Sequence, residues 1–228
     1  MKPPQKVRVK ICCILNESEA RMAITHGADA VGLVSAMPSG PGVIPESEIT
    51  SIIKIVPPPV ATFLLTCKTQ AHEIIAQYKN INSTAIQLVD GVSTDVYPIL
   101  KMYLPAVKLV QVVHVRNESS IQEALAVQDF VDAMLLDSGN PDLKTKELGG
   151  TGRVHNWDIS KKIRELVHIP VFLAGGLKPE NIKKAIEKVK PFGVDVCSGV
   201  RTAGKLDELK LAKFFSEINN FTFNQQLL

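Results

Sequence analysis

Two stretches late in the chain, Leu173-Ala174-Gly175-Gly176-Leu177 and Val194-Asp195-Val196-Cys197-Ser198-Gly199-Val200, decide between the two ways in which alternating strands and helices close into one fold. Each is a short apolar run that breaks on glycine and is followed by a helical stretch. Glycine at these points lets the backbone approach an anion closely, and free N–H groups ahead of a helix favour negative charge. An open, doubly wound sheet carries its glycine-rich turn after the first strand. Here the first apolar run ends in Cys12-Cys13-Ile14-Leu15-Asn16, which is no dinucleotide fingerprint. Glycine-rich turns confined to the late units, with Gly149-Gly150-Thr151-Gly152 among them, fit a closed barrel with a phosphate site after its last two strands.

Outward from these turns the same unit, a β-branched apolar run and then an amphipathic stretch, recurs at a spacing of roughly 25–30 residues. The pattern predicts strands over 7–12, 30–35, 61–66, 85–89, 108–115, 133–138, 170–175 and 194–198. It predicts helices over 18–26, 46–56, 70–79, 94–103, 119–130, 157–167, 179–190 and 207–219. Asn16 or Ser18, Ser119 with Gln122 behind it, and Pro179 are helix start signals. Residues 1–228 are therefore expected to form one α/β domain, a single (β/α)8 or TIM barrel.

Composition narrows the function classes. With 45% hydrophobic and 21% charged residues, the chain has the make-up of a soluble globular protein. Its 26 basic and 23 acidic residues form no block of one sign, and no basic patch with interleaved aromatics is visible. This argues against a nucleic-acid partner or a membrane-surface helix. The start of the chain lacks an apolar leader and no run reaches the ~20 residues of a spanning helix, so a cytoplasmic location is expected. The cysteines at 12, 13, 67 and 197 show no CxxC spacing, so neither a metal site nor a disulfide framework is expected.

Side-chain alternation assigns the chemistry. In the first strand Val7, Val9 and Ile11 face the helices while Arg8, Lys10 and Cys12 face the barrel interior. In the sixth, Met134 and Leu136 point out, Leu135 and Asp137 in; in the eighth, Asp195 points in. A thiol and a carboxyl then face one mouth, an arrangement suited to a general acid and a general base on opposite sides of a bound molecule. Strand 8 neighbours strand 1 in a closed barrel, so Asp195 is expected to pair with Lys10, which itself favours a thiolate at Cys12. The plain alternatives stand beside these readings. Cys12 could be a small core residue, Asp137 a loop cap, the glycine pairs ordinary turns, and the GGTG segment either a closing loop or a simple connection. Cys13, Cys67 and Cys197 are read as structural.

Taken together, Val9-Lys10-Ile11-Cys12, Gly27-Ala28-Asp29-Ala30-Val31-Gly32, Ile86-Gln87-Leu88, Leu135-Leu136-Asp137-Ser138, the GGTG segment, Trp157-Asp158, Leu173-Ala174-Gly175-Gly176-Leu177 with Pro179-Glu180-Asn181, and Val194-Asp195-Val196 with Ser198-Gly199-Val200 resemble phosphoribosylanthranilate isomerase. They run in the family's order over nearly the whole chain. The resemblance implies an enzyme that needs no cofactor and performs an Amadori rearrangement of N-(5'-phosphoribosyl)anthranilate in tryptophan biosynthesis, as a monomer or homodimer. It implies Asp137 as the acid and Cys12 as the base. Gly175, Gly176, Ser198 and Gly199, with Lys10, Gln87, Asp195 and Arg201, are the expected binding residues for a phosphorylated sugar.

The chain departs from the family pattern at several points. Cys13 stands where a glycine is usual. The loop Met37-Pro38-Ser39-Gly40-Pro41-Gly42-Val43-Ile44-Pro45 carries no basic residue, although the family places an arginine there for the anthranilate carboxylate. Val89-Asp90 replaces a histidine, Arg201 stands for a glutamate and could serve the carboxylate or the phosphate, and 139–148 lengthens the loop beside Asp137. A diverged barrel acting on another phosphorylated sugar, or on none, is the second reading.

Overall fold

A computed structural model describes residues 6–226, with side chains described through residue 220. Residues 1–5, 227 and 228 lie outside it, and with them the first residues of the segment read as lacking a leader. Eight parallel strands close into a barrel in chain order, the last pairing with the first. They are β1 Arg8–Ile11, β2 Ala30–Val34, β3 Ala61–Thr66, β4 Ala85–Leu88, β5 Lys108–His114, β6 Ala133–Asp137, β7 Val171–Leu173 and β8 Gly193–Val196. The helices between and after them are α1 Glu17–Thr25, α2 Glu46–Ile55, α3 Ala71–Ile81, α4 Val96–Tyr103, α5 Ser119–Val127, α6 Trp157–Leu166, α7 Ile182–Val189 and α8 Glu208–Gln226. A 3-10 turn, Ser198–Val200, and a two-residue hairpin, β9 Arg201–Thr202 with β10 Lys205–Leu206, precede α8.

The expected elements all form, and the differences lie at their ends. The seventh helix begins at Ile182 rather than 179 because the residues after Pro179 form a tighter turn. In it the Asn181 Oδ1 accepts from the Lys178 N–H at 2.9 Å and the Asn181 N–H donates to the Lys178 carbonyl. Asn16 caps α1 by accepting from the Glu19 N–H at 3.0 Å, as its residue type favours. The strands stop a residue or two early where loops depart to build the mouth.

Alternation along the strands makes two apolar layers. Val9, Ile11, Leu33, Met134, Leu136 and Val194 pack outward under the helices, while Phe63, Leu65, Val112, Leu135 and Phe172 fill the barrel. Phe63 meets Phe172 edge to face across the interior at 6.0 Å, which makes this part of the barrel a packed core and not a pore. The cavity therefore opens only where the strands end. Among the described residues no helix is long and apolar enough to cross a membrane.

Candidate active site

Because all eight strands run the same way, their C-terminal ends form one rim. At that rim lies a cavity walled by Cys12, Gln87, Asp137, Gly175, Gly176, Asp195 and Ser198 together. Cys12 reaches it from β1 and Asp137 from β6, on the faces that alternation assigned them. Lys10 is wholly buried one layer below, and its Nζ lies 2.9 Å from Asp195 Oδ1, which is the expected pair. The register sets Lys10 directly beside Asp195. Burial alone pulls the Lys10 ammonium down, but Asp195 and the adjacent thiols outweigh it and hold it well above its usual range. The Cys12 sulfur packs beside the same pair, facing Gly32 together with Lys10 Nζ. Gly32 on β2 makes this possible, since a Cβ there would lie 2.8 Å from the Cys12 sulfur and 2.9 Å from Lys10 Nζ.

Asp137 is 8% exposed. Its Oδ1 accepts from the Ser138 N–H at 2.7 Å, and no lysine or arginine is bonded to it among the described residues. Gly149 lies directly over it: a Cβ at 149 would come within 2.8 Å of Asp137 Oδ2. Ser138 and Thr151 share a hydrogen bond of 2.7 Å between their hydroxyls, so the GGTG segment is fastened over the carboxyl. The lengthened loop before it is ordered as a small hairpin, with Asn140 and Glu147 exchanging backbone hydrogen bonds at 2.8 and 3.0 Å. Gln87 lines the wall from β4 with its Oε1 buried and unpartnered, an acceptor available to a ligand N–H or O–H.

Gly175 and Gly176 take φ of 78° and 63°, the left-handed region that glycine enters without steric cost, and they border the cavity with Ser198. Gly199 does not line the cavity. A Cβ there would run into the Leu177 carbonyl oxygen, so this glycine lets the turns after β7 and β8 touch.

Arg201 is corrected as a ligand-binding residue. It is buried away from the cavity, donating to both Glu19 carboxylate oxygens at 3.1 and 2.9 Å, to the Gly204 carbonyl at 2.9 Å and to the Cys13 carbonyl. Those acceptors consume both terminal nitrogens of the guanidinium, and its Nε is buried without a partner. The Cys13 carbonyl is presented to it because Cys13 adopts φ 62°, a left-handed conformation that costs a non-glycine residue roughly 1–2 kcal/mol. Its side chain fits because position 42 is glycine: a Cβ at 42 would lie 2.8 Å from Cys13 Cα and closer still to its Cβ. Cys13 and Cys197, expected to be structural, both stand on the cavity wall. Hydrogen bonds to Cys12 and Cys197, then burial, push the Cys13 thiol well above its usual range.

Sequence reasoning missed His155. Its Nε2 lies 2.7 Å from Ser160 Oγ while Nδ1 is buried and unpartnered beside Gly175. Burial, opposed only by Asp137, pulls it from 6.5 down to about 4. The unfolded chain therefore binds this proton at a higher pH than the folded one, and stability is lost as pH falls below 6.5. Urea unfolding should show about 2 kcal/mol less stability at pH 5 than at pH 7. His155→Gln should flatten that interval, and an unchanged slope in the variant would refute the assignment.

The family model of N-(5'-phosphoribosyl)anthranilate isomerase matches residues 9–217. The chain belongs to the N-(5'-phosphoribosyl)anthranilate isomerase family. An isomerase of this name from Methanocella arvoryzae is 33% identical, over 92% of this chain and 96% of its own. The crystal structure of phosphoribosyl anthranilate isomerase from Thermotoga maritima superposes with a TM-score of 0.80 at 30% identity, covering 94% of this chain and 99% of the other. A further family structure, 28% identical with a TM-score of 0.77 and covering 94% and 99%, is a complex with reduced 1-(o-carboxyphenylamino)-1-deoxyribulose 5-phosphate.

Proposed function

We propose that this chain converts N-(5'-phosphoribosyl)anthranilate to 1-(o-carboxyphenylamino)-1-deoxyribulose 5-phosphate, with Asp137 as general acid and Cys12 as general base. The observation that carries the residue roles is that both side chains line one cavity bordered by the left-handed glycines 175 and 176 and by Ser198. The reaction relocates protons without adding or removing atoms, and one acid and one base suffice for it. Asp137 gives its proton to the furanose ring oxygen, which leaves C1' and opens the ring to an iminium. Cys12, as thiolate, then takes the proton from C2'. The electron pair of that C–H bond forms the enolamine, which becomes the ketone as C1' gains the proton held by Cys12 and the 2'-hydroxyl loses its own to the Asp137 carboxylate, restoring both groups. Asp195 positions the sulfur, with its charge offset by Lys10. Glycine N–H groups and the Ser198 hydroxyl take the phosphate.

The reaction is a step of tryptophan biosynthesis, and that role supports a cytoplasmic place; the family match over residues 9–217 supports one catalytic barrel, acting in this proposal as monomer or homodimer. The reading of a barrel diverged to another substrate has no observation in its favour. Purified protein should consume N-(5'-phosphoribosyl)anthranilate and release the ribulose product, followed by chromatography. Absence of turnover at substrate concentrations that saturate binding would overturn the proposal.

A further inference from the structure

The substrate class proposed above is charged at both ends, with a phosphate on the ribose and a carboxylate on the aromatic ring. The phosphate end faces the turns after β7 and β8. On the opposite side the wall runs from β2 to β4 with the loop after β6, and apart from Gln87 the residues that line it there are mainly apolar: Val34, Met37, Leu65, Val89 and Leu148. Such a wall accepts an aryl ring, but a carboxylate buried against it needs a cation. The loop after β2 contains no lysine or arginine from Ser35 to Pro45, and β4 leads into Val89 and an acid, Asp90.

The fold nevertheless brings a cation to this end from another element. Lys146 sits in the ordered hairpin after β6, and its Nζ lies 2.5 Å from Asp90 Oδ2. Asp90 is 9% exposed and is the neighbour of the wall residue Val89; its other oxygen accepts from the Gly91 N–H at 2.9 Å. The backbone of Lys146 is fixed as well, since its carbonyl accepts from Ser39 Oγ. Ser39 and Leu148, on either side of it, both line the cavity. Of the three donors on the ammonium, Asp90 uses one. Lys68, the other lysine of this sector, is paired away with Glu73 at 3.6 Å.

We infer that Lys146 is a specificity-determining residue of the proposed reaction, taking the carboxylate of the anthranilate ring with its remaining donors, and that Asp90 positions it. The inference rests on the proposed function and deepens it. A buried carboxylate at the tip of β4 and a lengthened loop after β6 thereby acquire one purpose, which is to supply a charge that the loop after β2 lacks.

The test compares two inhibitors, reduced 1-(o-carboxyphenylamino)-1-deoxyribulose 5-phosphate and the same molecule without the carboxyl group. The wild-type protein is expected to prefer the carboxylated form. In Lys146→Met that preference should fall about ten- to a hundredfold, the worth of a charge-assisted hydrogen bond, with binding of the decarboxylated form unchanged. Lys146→Arg should restore most of the preference, and Asp90→Asn should lose part of it. Equal loss of both inhibitors in Lys146→Met would make the lysine a loop-folding residue and overturn the inference, as would an undiminished preference or its loss in Lys68→Met instead. A wild-type protein that turns over the substrate yet ignores the carboxyl group overturns the inference alone, whereas one that neither turns over substrate nor binds either inhibitor overturns the proposed function with it.

Discussion

Asp137→Asn is expected to lower kcat by about 10²–10⁴, the usual contribution of a positioned proton donor, with KM changed little. Asparagine preserves the shape of the side chain and can still accept from the Ser138 N–H that Asp137 Oδ1 engages at 2.7 Å. No cation is bonded to the carboxyl among the described residues, so its replacement strands no charge. What is lost is the transferable proton at the cavity wall. Cys12→Ser is expected to fall in the same range, because a hydroxyl is a far weaker base than a thiolate, and the combined variant should fall little further since the two act in one sequence. Steady-state turnover at several substrate concentrations separates kcat from KM. A kcat within a few fold of wild type in Asp137→Asn would remove the residue from the chemistry.

Lys10→Met is expected to cost about 3–5 kcal/mol of stability, because it leaves the Asp195 carboxylate buried without its partner. At the usual conversion for a chain of this length, the thermal midpoint should drop by about 10 °C. Burial already holds the carboxyl of Asp195 above its ordinary range against the pull of Lys10, and without the ammonium it rises further. A carboxyl raised in the folded state penalises folding at high pH and relents as the pH falls. The variant should therefore recover part of its deficit between pH 8 and pH 5, the opposite trend to the one His155 produces in the wild type. Lys10→Met combined with Asp195→Leu should regain most of the stability, since removing both charges removes the stranded one. Activity should not return with it, because the charged pair beside Cys12 is gone. Melting curves of the two variants at both pH values decide the matter; a single variant within about 1 kcal/mol of wild type would show that the pair does not hold the barrel.

Much of this was readable from residues alone. The β-branched runs and the late glycines specified a closed barrel, and alternation was enough to aim Cys12, Asp137, Lys10 and Asp195 inward. Those readings depend on local periodicity, which a strand enforces residue by residue. Arg201 was misjudged because its fate is decided by Glu19, 182 positions away, a long-range contact that no local period reveals. The Lys146–Asp90 pair was hidden for the same reason, since Asp90 follows β4 while Lys146 stands in the hairpin after β6, and the two meet only through the course of that loop. His155 follows the GGTG segment without any periodic signal, and only its burial beside Gly175 marks it.

The fit of Cys13 against Gly42 links two loops that are far apart in sequence. A side chain at 42 can be accommodated only if the one at 13 is given up. Anyone grafting the second loop of another isomerase onto this scaffold, to import a basic residue, would have to transplant the residue after Cys12 at the same time. The two sites can change in one order only: position 42 must be glycine before position 13 gains a side chain.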